Sequence, residues 1–355
     1  MANIRPLERT LMLNVAWNKA RINFLAKFLI ALIQVRTVNL AEIASAFSGP
    51  ATVDSSYKRI QRFLRSFDIS YCCIARFVVK LVGVPAPWVL SIDRTDWCLT
   101  STPINILTLG ICYKGVAFPL LWVMLEKRGC SDDAERLALL NEFDRLFGFD
   151  SIDFLCADRE FVSKKLFAYL KKNRIDFRIR LRANTLISNR RGQMVRATRL
   201  FSRCRIGEAV ELKEARRVIG QQLYITGMKL KGGQYLIVAS GEQSLRAIED
   251  YARRWEIETL FGCLKKRGFC LEETRLRQAE RLKKMVALLA LAFCWAHKVG
   301  EWISQVKPLA LKQHGRKAKS IFRYGLDHLR RILCNLTSTV QLIAFRQVIQ
   351  LLSCT

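Results

Sequence analysis

Apolar residues recur at helical spacing through the first 85 positions and at strand spacing through the next hundred. Arg21 to Val35 (RINFLAKFLIALIQV) has the period of an amphipathic helix. A second helix is predicted from Leu40 to Phe47, with Asn39 placed to cap it and Ser48-Gly49-Pro50 to stop it. A third begins after Ser55-Ser56 and runs YKRIQRFLRSF, carrying Lys58, Arg59, Arg62 and Arg65. Helix, turn and basic helix is the order of a helix-turn-helix DNA reader. It is also the order of an ordinary helical bundle with a solvated basic face, and the pattern alone does not separate the two.

Near residue 85 the period changes. Trp88 to Ile92 reads as a buried strand ending at Asp93. Ile104 to Tyr113 and Val116 to Leu125 follow, joined at Lys114-Gly115 by a hairpin turn. A helix from about Asp132 to Phe147, a strand from Ile152 to Ala157 ending at Asp158, a helix near Phe161 to Lys172 and a strand from Phe177 to Leu181 complete the run. Three strands, helix, strand, helix, strand is the order of a mixed α/β sheet. A hundred residues then separate Asp158 from Glu258, too many for one sheet connection. Within them, Ala209 to Ser240 alternates like strands, with turns at Ile219-Gly220 and Gly232-Gly233. An inserted β subdomain is the expectation. From Gln278 onward the pattern is helical again, beginning with an apolar core helix at Met285 to Ala296 and interrupted by the basic stretch 311–325.

Charge changes this picture most. Lys and Arg number 59 against 30 Asp and Glu, for a net charge of +29. Such a field repels itself, and a polyanionic partner is its economical explanation. Residues 178–207 hold nine arginines and no Asp, Glu or Lys, and arginine's fixed fork suits phosphate. The run Met285–Ala296 is shorter than the roughly 20 residues that span a bilayer. The N-terminal segment lacks a signal peptide's continuous apolar stretch. The expectation is a cytoplasmic chain with no membrane partner. Twelve dispersed cysteines without a C-x2-C pair, and three histidines, are poor material for zinc and read as buried thiols in a reducing compartment.

The sharpest chemistry lies at Tyr251, Arg254, Glu258 and Lys265. Their offsets of 3, 7 and 14 residues would place them within roughly a 60° arc of one helix, opposite Ile257, Leu260, Phe261 and Leu264. A carboxylate between cations and a phenol suits cation-assisted chemistry on phosphate; a solvated face with i,i+4 pairs is the bland alternative. Asp93 and Asp158, each at a strand end, are individually as consistent with turns or caps. With Glu258 they make a three-carboxylate set able to take divalent cations, Mg²⁺ being the natural occupant of an all-oxygen site. Close together, the three would repel one another until a cation arrived.

YARRWEIETLFGCLK (251–265) resembles the Y-x2-R-x3-E-x6-K signature of DDE transposases of the fourth bacterial insertion-sequence family. IDRTDW around Asp93, ADREF around Asp158, VNLAEIASAF, SSYKRIQRFL and KAKSIFRYGL (317–326) resemble the same group, so the likeness covers most of the chain. The resemblance implies an RNase H-like mixed-sheet catalytic core with an inserted β subdomain and helical N- and C-terminal regions. The corresponding division is 1–85 DNA-binding, 86–182 and 242–275 catalytic, 183–241 inserted and 276–355 helical. It implies Asp93, Asp158 and Glu258 as catalytic and metal-binding residues, holding two Mg²⁺ ions, with Mn²⁺ as substitute. Tyr251, Arg254 and Lys265 would contact DNA backbone, beside Lys58, Arg59 and Arg62 from the N-terminal region. Its partner would be double-stranded DNA, both element ends and target, bound by a homodimer on the nucleoid. Asp93 is preferred to Asp96 because the pattern places the acid directly after the strand, and Glu160 is read as supporting, with Arg159 pairing nearby. Trp255 and Trp97 are aromatic candidates without an assigned role. The alternatives are a catalytically idle DNA-binding protein on the same scaffold and an endonuclease that cuts without joining.

Overall fold

The computed structural model describes residues 4–99, 102–313, 315, 317–335 and 339–353. Five helices come first: α1 (Arg5–Met12), α2 (Lys19–Val35), α3 (Leu40–Ser45), α4 (Val53–Ser66) and α5 (Tyr71–Val82). Side-chain caps fix four of their starts, with Ser70 accepting from the Cys73 amide at 3.4 Å before α5. Asn18 accepts from the Arg21 amide, Asn39 from Ala41 and Thr52 from Ser55, at 3.0, 3.1 and 3.2 Å. The buried face of α4 is Ser56, Ile60, Phe63 and Leu64, which turns Lys58, Arg59 and Arg62 to solvent.

The sheet begins with β1 (Trp88–Leu99), β2 (Thr102–Tyr113) and β3 (Val116–Met124), an antiparallel meander. Its β2–β3 turn is the one expected, with Lys114 and Gly115 at φ of 50° and 90°. After α6 (Asp133–Phe147), which opens with an Asp132–Glu135 capping box, come β4 (Ile152–Ala157), α7 (Lys164–Lys172) and β5 (Phe177–Leu181). Both β4 and β5 run parallel to β1, giving the order β3-β2-β1-β4-β5. This is the mixed sheet that the strand order foretold, in the RNase H-like form that the resemblance implies.

Residues 183–241 supply β6 (Leu186–Ser188), β7 (Met194–Arg196), the short α8 (Ala197–Leu200), β8 (Ala209–Glu211), β9 (Arg216–Val218), β10 (Gln221–Lys229) and β11 (Tyr235–Ser240). These do not stand off as a separate sheet. β11 pairs antiparallel with β5, from Ile237↔Leu181 to Ser240↔Arg178, so the insertion grows from the β5 edge of the mixed sheet. The arginine-rich segment is mostly exposed, but Arg178 is not available to nucleic acid. It is buried between Asp176 and Asp250, at 2.6 and 3.1 Å.

The chain then forms α9 (Ala247–Ala252), α10 (Trp255–Leu264), α11 (Ala279–Val306), α12 (Ile321–Cys334) and α13 (Thr339–Ser353). The helix predicted at Met285–Ala296 is longer than its apolar run, because Lys283, Lys284, His297 and Lys298 continue it without breaking it. At 28 residues α11 has the length and composition to cross a membrane, yet its middle is enclosed by protein on all sides. It packs on α2, α4, α5, β3, α10, α12 and α13 and is the axis of the hydrophobic core. The α11–α12 crossing is close because Gly300 faces Gly325: a methyl on Gly325 would overlap the Ala296 carbonyl and the Gly300 backbone.

Candidate active site

The parallel pairing of β1 with β4 stops at Ile92↔Ala157. The next residue on each strand is the expected aspartate, so Asp93 and Asp158 stand side by side where the two strands part. Asp158 follows its strand as predicted. Asp93 does not end β1, which continues to Leu99 because β2 still pairs with it. Only its parallel neighbour is lost there, and that opens room beside the carboxylate.

The single helix expected to carry Tyr251 through Lys265 is divided. Arg253, Arg254, Glu256 and Ile257 donate to carbonyls three residues back, at 3.0 to 3.2 Å, so a tight turn separates α9 from α10. Arg253 is held in this turn by the Cys112 carbonyl at 2.7 Å and Glu256 at 2.6 Å. Tyr251 and Arg254, three apart across the tightened turn, both reach the aspartates. The Tyr251 hydroxyl donates to Asp158 Oδ1 at 3.2 Å. Arg254, its side chain 4% exposed, lies 3.3 Å from Asp93 Oδ2 and 2.7 Å from Glu258 Oε1. Lys265 lies past the end of α10, and there it turns to the Asp96 carbonyl at 3.4 Å, Glu272 at 2.9 Å and the Trp97 ring. The structure therefore gathers Asp93, Asp158, Tyr251, Arg254 and Glu258, with Lys265 at the edge. Lys58, Arg59 and Arg62 remain on the outer face of α4, which packs on α3 and α11.

The expected cation beside Glu258 is there, and its guanidinium spans two of the carboxylates, Asp93 and Glu258. Burial opposes the charge on Arg254, and its neighbours Tyr251, Glu258 and Asp93 outweigh that, so it stays firmly protonated. Burial pushes Asp93 up to about 7, against the Arg94 amide and Arg254, which favour its charge; Glu160 and Asp158 push it further up. Burial also raises the Tyr251 phenol, and Arg180 on β5 is near enough to draw it back. Among the described residues no group of three or more His, Cys, Asp or Glu side chains is already arranged around a metal-sized point. The donor chemistry nonetheless fits a hard divalent cation. All three acids offer oxygen, and Asp93 is a buried carboxylate short of compensating charge.

Two supports escaped the sequence reading. Glu160 pairs with Arg94 at 3.2 Å, and Arg159 is not its partner. This ion pair ties the residue after Asp93 to the turn after Asp158. Arg136 of α6 is buried, donates to the Ser131 hydroxyl at 2.8 Å and the Glu160 carbonyl at 3.0 Å, and lies on the Phe161 ring. It clamps the 159–161 turn from a helix with no local motif to announce it. Trp255 is 57% exposed beside the site, with Arg254 against its ring.

A family profile, transposase DDE domain, matches residues 85–295. No curated protein sequence matches. Among solved structures, the chain is similar to a cryo-EM structure of a piggyBac transposase synaptic complex with hairpin DNA. The identity is 13% and the TM-score 0.46, over 94% of this chain and 76% of that one.

Proposed function

Because this chain belongs to the DDE-domain transposase family, we propose that it binds the ends of its own insertion sequence, cuts them by metal-dependent phosphodiester hydrolysis and joins the freed 3′-OH ends to target DNA. The spacing of Tyr251, Arg254, Glu258 and Lys265 supports placement in the fourth insertion-sequence group. The observation that carries the reading is the meeting of three remote segments. Asp93 and Asp158 flank the last parallel pair of β1 and β4, and Arg254 joins Glu258 to them from α10.

Asp93, Asp158 and Glu258 would hold two Mg²⁺ ions, or Mn²⁺, which supply activation of the attacking hydroxyl and stabilisation of the leaving oxygen. The chain's own groups do the rest. Arg254 keeps Glu258 aligned with Asp93 before DNA arrives, and a scissile-strand phosphate competes for its guanidinium. Tyr251 orients Asp158 through its hydroxyl, and Lys265 at the rim offers a point charge to a neighbouring phosphate. Lys58, Arg59 and Arg62 on α4 would meet duplex DNA further from the cut. The division of labour follows the expected segments, 1–85 for DNA, 86–182 and 242–275 for cutting, and 276–355 for support. A homodimer on DNA, acting in the bacterial cytoplasm, fits the need to hold two ends together.

The test is cleavage and strand transfer on labelled element-end DNA with Mg²⁺, comparing wild type with Glu258→Ala. Metal-dependent cutting and joining that vanish in the variant are expected. Cutting without joined products would favour the endonuclease alternative. Tight binding with no cutting by either protein would favour the idle scaffold.

A further inference from the structure

A cleft of about 340 Å³ lies where the α3–α4 pair meets the segment that leads into α11. Asn39, Tyr57 and Gln61 line one side of it, and Arg275, Arg277 and Arg281 the other. Three arginines nearer the carboxylates are tied to acids: Arg94 to Glu160, Arg178 to Asp176 and Asp250, Arg254 to Asp93 and Glu258. Arg275, Arg277 and Arg281 are different. Among the described residues no carboxylate is within ion-pair reach of any of them, and the buried Nε of Arg281 donates to nothing. Three like charges lining one hollow repel one another, and an anion in the hollow would relieve that repulsion.

The cleft is also on a continuous line to the carboxylates. The 265–278 segment starts at Lys265, against Trp97 and the Asp96 carbonyl, and ends at the cleft. Arg277 also borders the hollow formed by Ile104, Asn105 and Glu126 at the start of β2 and the end of β3. Asn105 and Ile104 pair across the ladder with Asp96 and Trp97, and Trp97 is four residues, about 13 Å, from Asp93 along β1. On the α4 side, the lining residues Tyr57 and Gln61 are followed in the chain by Lys58 and Arg62, both exposed.

We propose that this cleft is a backbone-binding site for duplex DNA, in which Arg275, Arg277 and Arg281 grip phosphates between the stretch held by α4 and the strand cut at Asp93. The inference rests on the DNA-cutting function proposed above. Arginine forks match phosphate oxygens in pairs, so the site fixes the duplex in register and does not merely attract it. It links the N-terminal helices to the catalytic sheet through the DNA itself and sets the distance between what is bound and what is cut.

Salt-dependent binding decides it. The full chain and its R275Q/R277Q/R281Q variant are titrated with a fluorescent element-end duplex at ionic strengths from about 0.05 to 0.2 M. Each lost phosphate contact makes the slope of log affinity against log salt shallower by about 0.9, so for three contacts a change of about 2.7 and affinity lower by about tenfold or more are expected. Arg277 is exposed, so R277E tests the same site without disturbing the fold; about fivefold weaker binding or worse is expected, close to the loss of one contact between those salt limits. Variants that keep the wild-type slope and affinity would overturn the cleft's assignment while leaving the proposed function standing. A wild-type chain that shows no salt-dependent binding to DNA would overturn both.

Discussion

At the scale of single residues, Asp93 carries the clearest electrostatic conflict. The unfolded chain releases its proton near the usual carboxylate value of about 4, whereas the folded chain holds it up to about 7. Between those values the native state binds more protons, so this group's contribution to stability falls as pH rises through the window and stays low above it. Asp93→Asn removes the conflict. Its melting temperature should exceed that of wild type by a margin that widens from pH 5 to pH 8, and a constant margin would mean that the carboxylate is well solvated. Arg254→Met should have the opposite character, leaving Asp93 and Glu258 without their shared cation at a cost of about 2–3 kcal/mol near neutral pH, read by denaturant unfolding. Tyr251, Arg254 and Glu258 were legible from spacing alone, because a phenol, a guanidinium and a carboxylate so spaced reach one site whether the turn between them is α or tighter. The ion pair of Arg94 with Glu160 was not, since nothing local distinguishes it from Arg159 with Glu160.

At the scale of elements, β4 and β5 match their predicted bounds; the FLCA run of β4 declares a buried strand by composition, whereas β5 alternates apolar residues with Arg178 and Arg180. The division between α9 and α10 left no mark in the sequence. No glycine or proline stands there, and the tightened turn depends on the Cys112 carbonyl and on carboxylates from other segments. The insertion's attachment was equally hidden, for which strand β11 pairs with is a property of the assembled sheet. Helix packing gives the sharpest element-level test. Gly325→Ala pushes a methyl into the α11 backbone and should destabilise the chain by about 1–3 kcal/mol or more, measured by denaturant or heat. A neutral result would show that the two helices can separate freely.

At the scale of the whole molecule, the net charge of +29 is carried mainly by exposed side chains, and the segments that display it come from both the N-terminal helices and the insertion. A field of that size sets how the molecule meets DNA more than how it folds. Divalent cations should raise the melting temperature by linkage, and the gain should be smaller in Glu258→Ala. No shift with millimolar Mg²⁺ in wild type would argue that the carboxylates assemble around metal only once DNA has drawn Arg254 away. The long buried helix α11 has a different consequence. It touches α2, α4, α5, the sheet, α10 and both C-terminal helices, so none of these can detach without baring part of it to water. Its central amides, from Met285 to Ala296, should therefore exchange with deuterium only when the entire chain opens, making it the slowest-exchanging stretch and a single clock for the molecule.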